Sequence, residues 1–393
     1  MDTNTYKKEI ELYIHIPFCV RKCNYCDFLS FPSNDDAQLE YVKALCAEIV
    51  YRGKNFSDYT VSSIYIGGGT PSCVNTRHII SIMETLADTF TINKEAEITI
   101  ECNPGTVTRE KLNIYKSLGI NRLSFGVQST NNDELKILGR IHDYKSFLVS
   151  LDSALHEGFD NISADIMYGL PGQTIETLRK TLKDIAKFNL KHISVYSLII
   201  EENTPFYDRY YDDYILQCQG KLTSFLPSEE QLCEMTDFVG AYLRNRGYFQ
   251  YEISNYSKRG YECLHNLGYW KRKEYIGFGI GAASLIDETR YANITDIDKY
   301  IKNYLRTNPI SEYSERVNLT LDEQMSEFMM LGFRMVNGIS TADFYNSFGR
   351  TIESVYKEQI DKLIGQGLII NDGNFIKPTY RGLELQNIIA REF

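Results

Sequence analysis

The chain has 393 residues with a formal net charge of −10, and 43% of its residues are apolar and 24% charged. This length allows two or three domains with a large core, and the composition is that of an ordinary globular protein that needs no disulfides. The acidic balance argues against a nucleic-acid partner, and no apolar run approaches the roughly 18–20 residues of a membrane span.

The first ten residues are polar and lack the apolar segment of a signal peptide. The nine cysteines are an odd number at low density, and outside one triplet they are scattered along the chain. Both features predict a protein of the reducing cytoplasm. A peripheral contact with the inner face of the membrane stays open.

Strand-like apolar runs alternate with helical stretches through the first half of the chain. The predicted strands are Leu12–Ile16, Val61–Ile66, Ala96–Ile100, Arg122–Val127, Ile162–Met167 and His192–Leu198. The predicted helices cover residues 37–52, 75–90, 108–118, 131–157 in two pieces, and 174–188. Apolar strands separated by helices predict a parallel sheet covered by helices. Since six units are two short of a full (β/α)8 barrel, we predict an α/β fold, an open partial (β/α)6 barrel with its chemistry at the carboxyl ends of the strands.

Three cysteines, Cys19, Cys23 and Cys26, follow the first predicted strand in a C-x3-C-x2-C spacing. Three thiolates so close together suit an iron–sulfur cluster or a zinc site. Structural zinc usually takes four ligands from two paired turns, and the sequence has no second C-x2-C pair. A [4Fe–4S] cluster held by three cysteines leaves one iron open, and that iron can chelate an amine and a carboxylate. The spacing therefore favours a cluster over zinc.

Glycines and polar residues recur at the predicted strand ends. They are Gly67, Gly68, Gly69 and Thr70 after the second strand, Glu101 after the third, Gln128 at the end of the fourth, Arg140 after the next helix, and Asp165 within the fifth. Glycines let a ligand approach the backbone, a carboxylate could accept hydrogen bonds from ribose hydroxyls, and an arginine could pair with a ligand carboxylate. Each feature alone is also explained by a tight turn or a solvated side chain. Their shared position favours a binding site, and Asp165 is hardest to explain otherwise, because a charge within an apolar strand is costly unless paired.

Beyond residue 200 the pattern changes. A polar loop is predicted over residues 201–207, and a helix over Ser228–Arg246 with Ser228 as its N-cap. The hexapeptide His265-Asn266-Leu267-Gly268-Tyr269-Trp270 then holds the only tryptophan of the chain. A histidine can ligate haem iron and aromatic rings can cover a porphyrin face, but the residues alone favour a core histidine packed beside two aromatics.

The last part of the chain is mostly helical. Helices are predicted over Leu321–Val336, Thr341–Phe348 and Thr351–Gln366, followed by strands over Leu368–Asn371 and Asn374–Lys377 joined by an Asp-Gly turn. Helices followed by a hairpin predict a small α+β, winged-helix-like domain with a packing or partner-docking role. We therefore divide the chain into residues 1–210, 211–310 and 311–393.

Taken together, these motifs resemble the oxygen-independent coproporphyrinogen III oxidase family of radical S-adenosylmethionine (SAM) proteins. The resemblance covers most of the chain and rests on the cysteine triplet and on Tyr13-Ile-His-Ile-Pro-Phe-Cys19, Gly67-Gly-Gly-Thr-Pro71, Glu101-Cys-Asn-Pro104, Leu123-Ser-Phe-Gly-Val-Gln128, Leu138-Gly-Arg140 and Asp165-Ile-Met-Tyr-Gly-Leu-Pro171. It implies a [4Fe–4S] cluster on Cys19, Cys23 and Cys26. It implies SAM contacts from Tyr13, Tyr25, Gly68, Gly69, Thr70, Glu101, Gln128, Arg140, Asp165 and Ile199.

That family contains oxidases and haem chaperones, and three features favour the chaperone branch. The oxidases have a long N-terminal extension, whereas about ten residues precede the first strand here. They carry a further cysteine two residues after the third cluster ligand, where this chain has Phe28. The hexapeptide resembles the H-N-x-x-Y-W motif of the chaperones, which implies haem binding by His265, Asn266, Tyr269 and Trp270, with His265 as a ligand of the haem iron.

The resemblance therefore implies a protein that binds haem and hands it to an acceptor haemoprotein, and the expected acceptor is a respiratory protein at the membrane. The alternatives are an oxidase that decarboxylates coproporphyrinogen III, and a radical SAM enzyme that methylates or degrades a tetrapyrrole. Whether the chain is an enzyme, and whether it is a monomer or a homodimer, stay open at this point.

Overall fold

The six predicted barrel units are all present in the computed structural model, which describes residues 8–393. In chain order the first half contains β1 (Lys8–Ile16), β2 (Phe18–Cys19), β3 (Phe31–Pro32), α1 (Asp35–Gly53), β4 (Tyr59–Gly68), α2 (Thr76–Thr89), β5 (Thr91–Cys102), α3 (Arg109–Ser117), β6 (Arg122–Gln128), α4 (Asn132–Ile137), α5 (Tyr144–His156), β7 (Asn161–Tyr168), α6 (Ile175–Ala186) and β8 (His192–Ser197). Strands β1, β4, β5, β6, β7 and β8 lie side by side in this order, and every neighbouring pair is parallel. The predicted α/β partial barrel is thus confirmed.

Local sequence fixes where the barrel helices begin. Helices α2, α3, α5 and α6 follow Asn75, Thr108, Asp143 and Thr174, whose side chains each accept a hydrogen bond from a backbone N–H in the first helical turn. Such caps satisfy donors that have no partner inside the helix. Helices α2, α3 and α6 therefore start a few residues beyond a strand end, which leaves a short loop at the edge where a site can form, whereas α5 follows α4.

The next segment lengthens the same sheet. It contains α7 (Pro205–Cys218), α8 (Glu229–Arg244), β9 (Phe249–Gln250), β10 (Asn255–Ser257), α9 (Leu264–Trp270), β11 (Tyr275–Phe278), β12 (Ala283–Ile286), β13 (Thr289–Asn293), α10 (Ile297–Tyr304) and β14 (Tyr313–Asn318). Strand β11 pairs parallel with β1 and leads to antiparallel β12, β13 and β14, while β10 and β9 continue the sheet beyond β8. The division of the chain at residues 210 and 310 stays a prediction.

Helix α7 corrects part of the sequence analysis. The loop predicted over 201–207 is wrong from Pro205 onward, because the helix starts there. Thr204 accepts a hydrogen bond from the N–H of Tyr207, and a proline at the first helical position loses no intrahelical bond. The Thr-Pro pair is therefore a helix start.

The C-terminal part has its own core. It contains α11 (Leu321–Gly332), β15 (Ile339–Ser340), α12 (Thr341–Phe348), α13 (Ile352–Gly365), β16 (Ile369–Asn371), β17 (Phe375–Pro378), α14 (Tyr380–Glu384) and α15 (Gln386–Ala390). The three strands form a separate sheet in the order β15-β17-β16. Met325, Phe333, Phe344 and Leu363 belong to a cluster distinct from the barrel core. Helix α11 ends at Gly332, four residues earlier than predicted.

No helix within residues 8–393 is both long and apolar enough to cross a bilayer.

Candidate functional site

The candidate site is a cavity of about 530 Å³ at the carboxyl ends of the parallel strands. All three cysteines of the triplet line it, together with every predicted SAM residue except Tyr13: Tyr25, Gly68, Gly69, Thr70, Glu101, Gln128, Arg140, Asp165 and Ile199. Residues far apart in sequence meet here because parallel strands bring their carboxyl ends to one edge. Ile199 is 58% exposed, which places it at the mouth.

The cysteine triplet lies on a loop that β2 and β3 hold together. These two short strands pair Phe18 with Phe31, and the three thiols are free and half-buried. The Sγ of Cys19 lies 3.6 Å from the hydroxyl of Thr70, and burial raises the pKa of the Cys26 thiol. In the part of the chain that the structure describes, no three His, Cys, Asp or Glu side chains are gathered around one point that could hold a single metal ion. A cubane cluster needs no such point, since each iron takes its own thiolate.

The glycine run is shaped by the elements that surround it. Gly68 has a φ of +115°, a conformation that L side chains rarely adopt. A Cβ on Gly69 would lie 2.7 Å from the carbonyl oxygen of Phe18 and 3.0 Å from the Sγ of Cys19. The close approach of the cysteine loop to the end of β4 therefore requires a glycine at this position.

Two carboxylates point from the strands into the cavity. Glu101 accepts hydrogen bonds from the Tyr65 hydroxyl at 2.9 Å and from the Gly68 N–H at 3.1 Å. Burial raises the pKa of Glu101 to about 7. Asp165 accepts from the hydroxyls of Ser124 at 3.0 Å and Ser163 at 3.3 Å, and burial raises its pKa as well. The charge within the apolar strand is thus supported by hydroxyl donors, as a buried carboxylate requires.

Arg140 connects the cavity wall to the cysteine loop. Its guanidinium donates to the carbonyl of Gly126 at 2.7 Å and to the side chain of Asn103, and it lies 3.5 Å from the Sγ of Cys23. Its Nε is buried and has no hydrogen-bond partner within residues 8–393, and the same holds for Oδ1 of Asn255, which also lines the cavity. Unpaired buried polar atoms at a cavity wall fit a polar ligand, because leaving them unpaired is costly.

Sequence reasoning missed several cavity residues. Asn103, Ser124, Ser194, Tyr196 and Asn255 all line the wall. Tyr196 donates to the side chain of Gln128 at 2.8 Å, and so fixes the amide of a predicted SAM residue. The alternation of side chains along a strand could have identified three of them, because residues two or four apart face the same side of a sheet. Ser124 precedes Gln128 by four residues on β6, and Ser194 and Tyr196 are two residues apart on β8.

Tyr13 lies below the cavity rather than in its wall. Its hydroxyl is 3.0 Å from Nδ1 of His15, and its ring stacks against Tyr65 with a centroid distance of 6.4 Å. Tyr13 therefore supports the wall from behind, and its predicted contact with SAM stays a prediction.

The hexapeptide 265–270 lies in helix α9, where its histidine is buried. His265 is 1% exposed, with Nδ1 2.8 Å from the Ser63 hydroxyl and Nε2 2.9 Å from the Tyr269 hydroxyl. Burial and the nearby charge of Arg122 lower the pKa of His265 to about 3, so the ring is neutral. An iron could reach either ring nitrogen only by displacing one of these hydroxyls. The predicted haem contact of His265 stays a prediction that requires displacement of the Ser63 or the Tyr269 hydroxyl.

The other three predicted haem residues point to different places. Asn266 lines the cavity, whereas His265, Tyr269 and Trp270 do not. The Trp270 ring packs under the guanidinium of Arg334 at 4.4 Å, beside the C-terminal core. Helix α9 thus reaches from the cavity to the C-terminal part of the chain.

The cavity residues fit the two cofactors that the sequence implies, a [4Fe–4S] cluster and SAM. Three free thiols on one loop match the ligand count of a cluster with an open iron. Next to them the cavity wall offers both hydrogen-bond donors and hydrogen-bond acceptors, as a charged nucleoside with an amino-acid tail requires. These groups belong to the glycine run, Glu101, Arg140 and Asp165.

The comparisons of this chain with known proteins agree on one family. Residues 13–185 match the radical SAM superfamily model, and residues 319–385 match the HemN C-terminal domain model. The chain is 36% identical to heme chaperone HemW of Bacillus subtilis over 97% of this chain and 98% of that protein. It is 34% identical to heme chaperone HemW of Lactococcus lactis and 32% identical to that of Escherichia coli, in both cases over 98% of each chain.

Among solved structures, coproporphyrinogen III oxidase HemN from Escherichia coli, described as a radical SAM enzyme, matches with a TM-score of 0.82 at 25% identity. The match covers 98% of this chain and 90% of that one. Since the relatives are more than 30% identical over nearly their whole length, the chain belongs to the HemW branch of the coproporphyrinogen III oxidase family, within the radical SAM superfamily.

Proposed function

We propose that this protein is a haem chaperone that binds haem and transfers it to acceptor haemoproteins, and that it carries a [4Fe–4S] cluster and SAM. The observation that carries the proposal is the full-length similarity to proteins named heme chaperone, at 32–36% identity. Phe28 supports it, because this residue is 65% exposed at the cavity mouth, at the position where the oxidases carry a further cysteine.

In this proposal Cys19, Cys23 and Cys26 hold the cluster, and Glu101, Arg140 and Asp165 orient SAM. When bound, the cluster and SAM supply one-electron chemistry at the sulfonium centre. The two oxygens of Glu101 already accept hydrogen bonds from Tyr65 and Gly68, so its remaining lone pairs are directed by fixed partners. Arg140 is fixed by the Gly126 carbonyl and lines the cavity, where its positive charge can pair with a ligand carboxylate.

Haem is the cargo, and its acceptors are haemoproteins, including respiratory proteins at the membrane. We place this transfer in the cytoplasm or at the inner membrane face, by a monomer or a homodimer. The exposed apolar side chains around the cavity mouth, Val20, Phe28, Ile141 and Ile199, offer a surface that an apolar macrocycle could contact.

A second candidate is oxidation of coproporphyrinogen III. The observation that favours it is the match to the HemN structure, which covers 98% of this chain. It requires that substrate propionates lose carbon dioxide in the presence of SAM and a reductant.

One anaerobic experiment separates the two candidates. Cluster-reconstituted protein is titrated with haem, and a parallel sample receives SAM, reductant and coproporphyrinogen III. Saturable haem binding, transfer of that haem to an apo-haemoprotein and absence of decarboxylated product are the expected results. Product formation without saturable haem binding would establish the oxidase instead.

A further inference from the structure

Helix α9 touches the SAM side of the cavity through one tyrosine. The ring of His265 stacks on Tyr65 with a centroid distance of 5.3 Å and an interplanar angle of 24°. Tyr65 also stacks against Tyr13 at 6.4 Å and 22°. The Tyr65 ring therefore contacts two aromatic rings, one from β1 and one from α9.

Tyr65 passes this constraint to a cavity carboxylate. Its hydroxyl donates to Oε1 of Glu101 at 2.9 Å, while Oε2 of Glu101 accepts from the Gly68 N–H at 3.1 Å. With both oxygens engaged, the Glu101 carboxylate has one orientation at the cavity wall. A carboxylate fixed in this way can accept hydrogen bonds from a ligand without losing conformational entropy on binding.

His265 is itself fixed from three sides. Ser63 and Tyr269 bind its two ring nitrogens, and its backbone N–H donates to Oε1 of Glu97 at 3.3 Å. A histidine with both nitrogens satisfied and 1% exposure acts on its surroundings through the face of its ring. That face is the one against Tyr65.

The next residue of the helix reaches the cavity directly. Asn266 lines the same cavity as Glu101, and its side chain forms no hydrogen bond with any other residue of the described chain. A side-chain amide carries two donors and one acceptor oxygen. It is therefore available to a ligand in the cavity.

From this arrangement we infer that the H-N-x-x-Y-W motif serves the SAM site: His265 is a positioning residue for Glu101, acting through Tyr65, and Asn266 contacts the bound nucleoside. The inference rests on the proposed binding of SAM. It differs from the expectation that the motif ligates haem, because the same histidine cannot hold Ser63, Tyr269 and an iron at once.

The test measures SAM affinity and haem affinity separately on cluster-loaded protein. Equilibrium dialysis with labelled SAM gives the first, and anaerobic absorbance titration with haem gives the second. The variants are Tyr65→Phe, His265→Ala, His265→Phe and Asn266→Ala, and Tyr345→Phe, a 54% exposed tyrosine of α12, is the matched control. Thermal unfolding and iron content of each variant report whether the fold and the cluster are retained.

We expect Tyr65→Phe and His265→Ala to weaken SAM binding by about tenfold, since each removes a constraint on a hydrogen-bonded charged group. Asn266→Ala should weaken it by about threefold to tenfold. His265→Phe keeps a flat ring against Tyr65 and should recover most of the SAM affinity. The double variant Tyr65→Phe/His265→Ala should be about as weak as the weaker single variant, because both act on one contact.

Wild-type SAM affinity in Tyr65→Phe and Asn266→Ala would overturn the inference, even if His265→Ala does not fold. Loss of haem binding with full SAM binding in His265→Ala would also overturn it and would return the histidine to the haem site. If the wild-type protein itself takes up no SAM, the cofactor of the proposed function fails and the inference fails with it. Haem binding by the wild type is measured in the same samples, so failure of the chaperone function is seen independently.

Discussion

The cysteine loop and helix α9 carry the two most distinctive motifs of the chain, and they differ in how their polar groups are satisfied. In the loop, Cys19, Cys23 and Cys26 are free thiols on the cavity wall. In α9, both ring nitrogens of His265 have hydroxyl partners and the side chain is buried. The cysteine loop therefore has free ligand atoms, whereas the ring of His265 has none.

This difference separates two kinds of functional residue. Groups that bind a ligand stay open until the ligand arrives, whereas groups that position others are satisfied within the fold. Sequence motifs do not distinguish the two, because the same residue types appear in both. The expected consequence is that variants in the loop abolish cofactor binding, whereas variants in and around α9 alter affinity or stability by smaller amounts.

The largest effect is expected for Cys19→Ser. The variant removes one of three thiolate ligands, and a cluster with two ligands should fall to less than about a tenth of the wild-type iron content. Iron and sulfide analysis after anaerobic reconstitution, with the visible absorbance of the cluster, measures it. Cys218→Ser is the control, because Cys218 is free and exposed. Equal iron content in both variants would contradict a cluster on this loop.

The next effect is expected for Gly69→Ala. The new methyl group would lie 2.7 Å from the carbonyl oxygen of Phe18 and 3.0 Å from the Sγ of Cys19, so the cysteine loop must move. Overpacking of this kind costs about 1–3 kcal/mol, and we expect SAM affinity to fall by about tenfold or more with partial loss of iron. Gly365→Ala, at a helical glycine with open space around it, is the control. Unchanged SAM binding in Gly69→Ala would show that the loop and β4 do not form one site.

Much of the barrel could be predicted from sequence because its strands are buried on the helix side and its helices carry clear caps. The additional strands could not. Strand β14, Tyr313–Asn318, is mostly exposed and reads Tyr-Ser-Glu-Arg-Val-Asn, so it shows no apolar alternation. This short edge strand is held by main-chain pairing with β13, and main-chain pairing leaves no pattern in the side chains.

The site shows the same limit. Placement of residues at strand ends predicted the cavity, because parallel strands share one edge. The sequence did not predict how deep along the barrel axis each side chain lies. Glu101 lies in the cavity wall, whereas Tyr13 lies beneath it. For His265, the residue type suggested a ligand, but only the fold shows that Ser63 is 2.8 Å from Nδ1. Whether the ring nitrogens of a histidine are free to bind a ligand depends on partners that are distant in the sequence.

An effect on stability that depends on pH is expected from a carboxylate next to α9. Glu11 is 2% exposed, and burial raises its pKa to about 8, with Glu97 and Glu9 acting in the same direction and Lys273 and Lys271 opposing them. Because the folded protein holds this proton up to about pH 8 while the unfolded chain releases it near the ordinary value of about 4.3, folding is weakened as pH rises between these values. The substitution Glu11→Gln removes the ionisable carboxyl group and, with it, this dependence of folding stability on pH.

We therefore expect Glu11→Gln and the wild type to have similar melting temperatures at pH 5, and the variant to be more stable at pH 8 by up to about 3 kcal/mol. Differential scanning calorimetry across pH 5–8 measures the gap. Glu9→Gln, at an exposed position of the same strand, should not reproduce it. A gap that stays constant with pH would show that Glu11 is ionised throughout.

The smallest effect is expected at the far end of α9, where Trp270 meets Arg334. The guanidinium lies 4.4 Å from the indole centroid, and ion pairing of Arg272 with Glu327 at 3.1 Å joins the same helix end to α11. Arg334→Met removes the cation and keeps an apolar chain over the ring, so about 0.5–1 kcal/mol should be lost. As Trp270 is the only tryptophan, its fluorescence reports this contact alone. We expect an altered emission and a slightly lower melting temperature in Arg334→Met, and neither in the exposed control Arg306→Met. Unchanged Trp270 emission and an unchanged melting temperature in Arg334→Met would contradict a stabilising contact between Arg334 and Trp270.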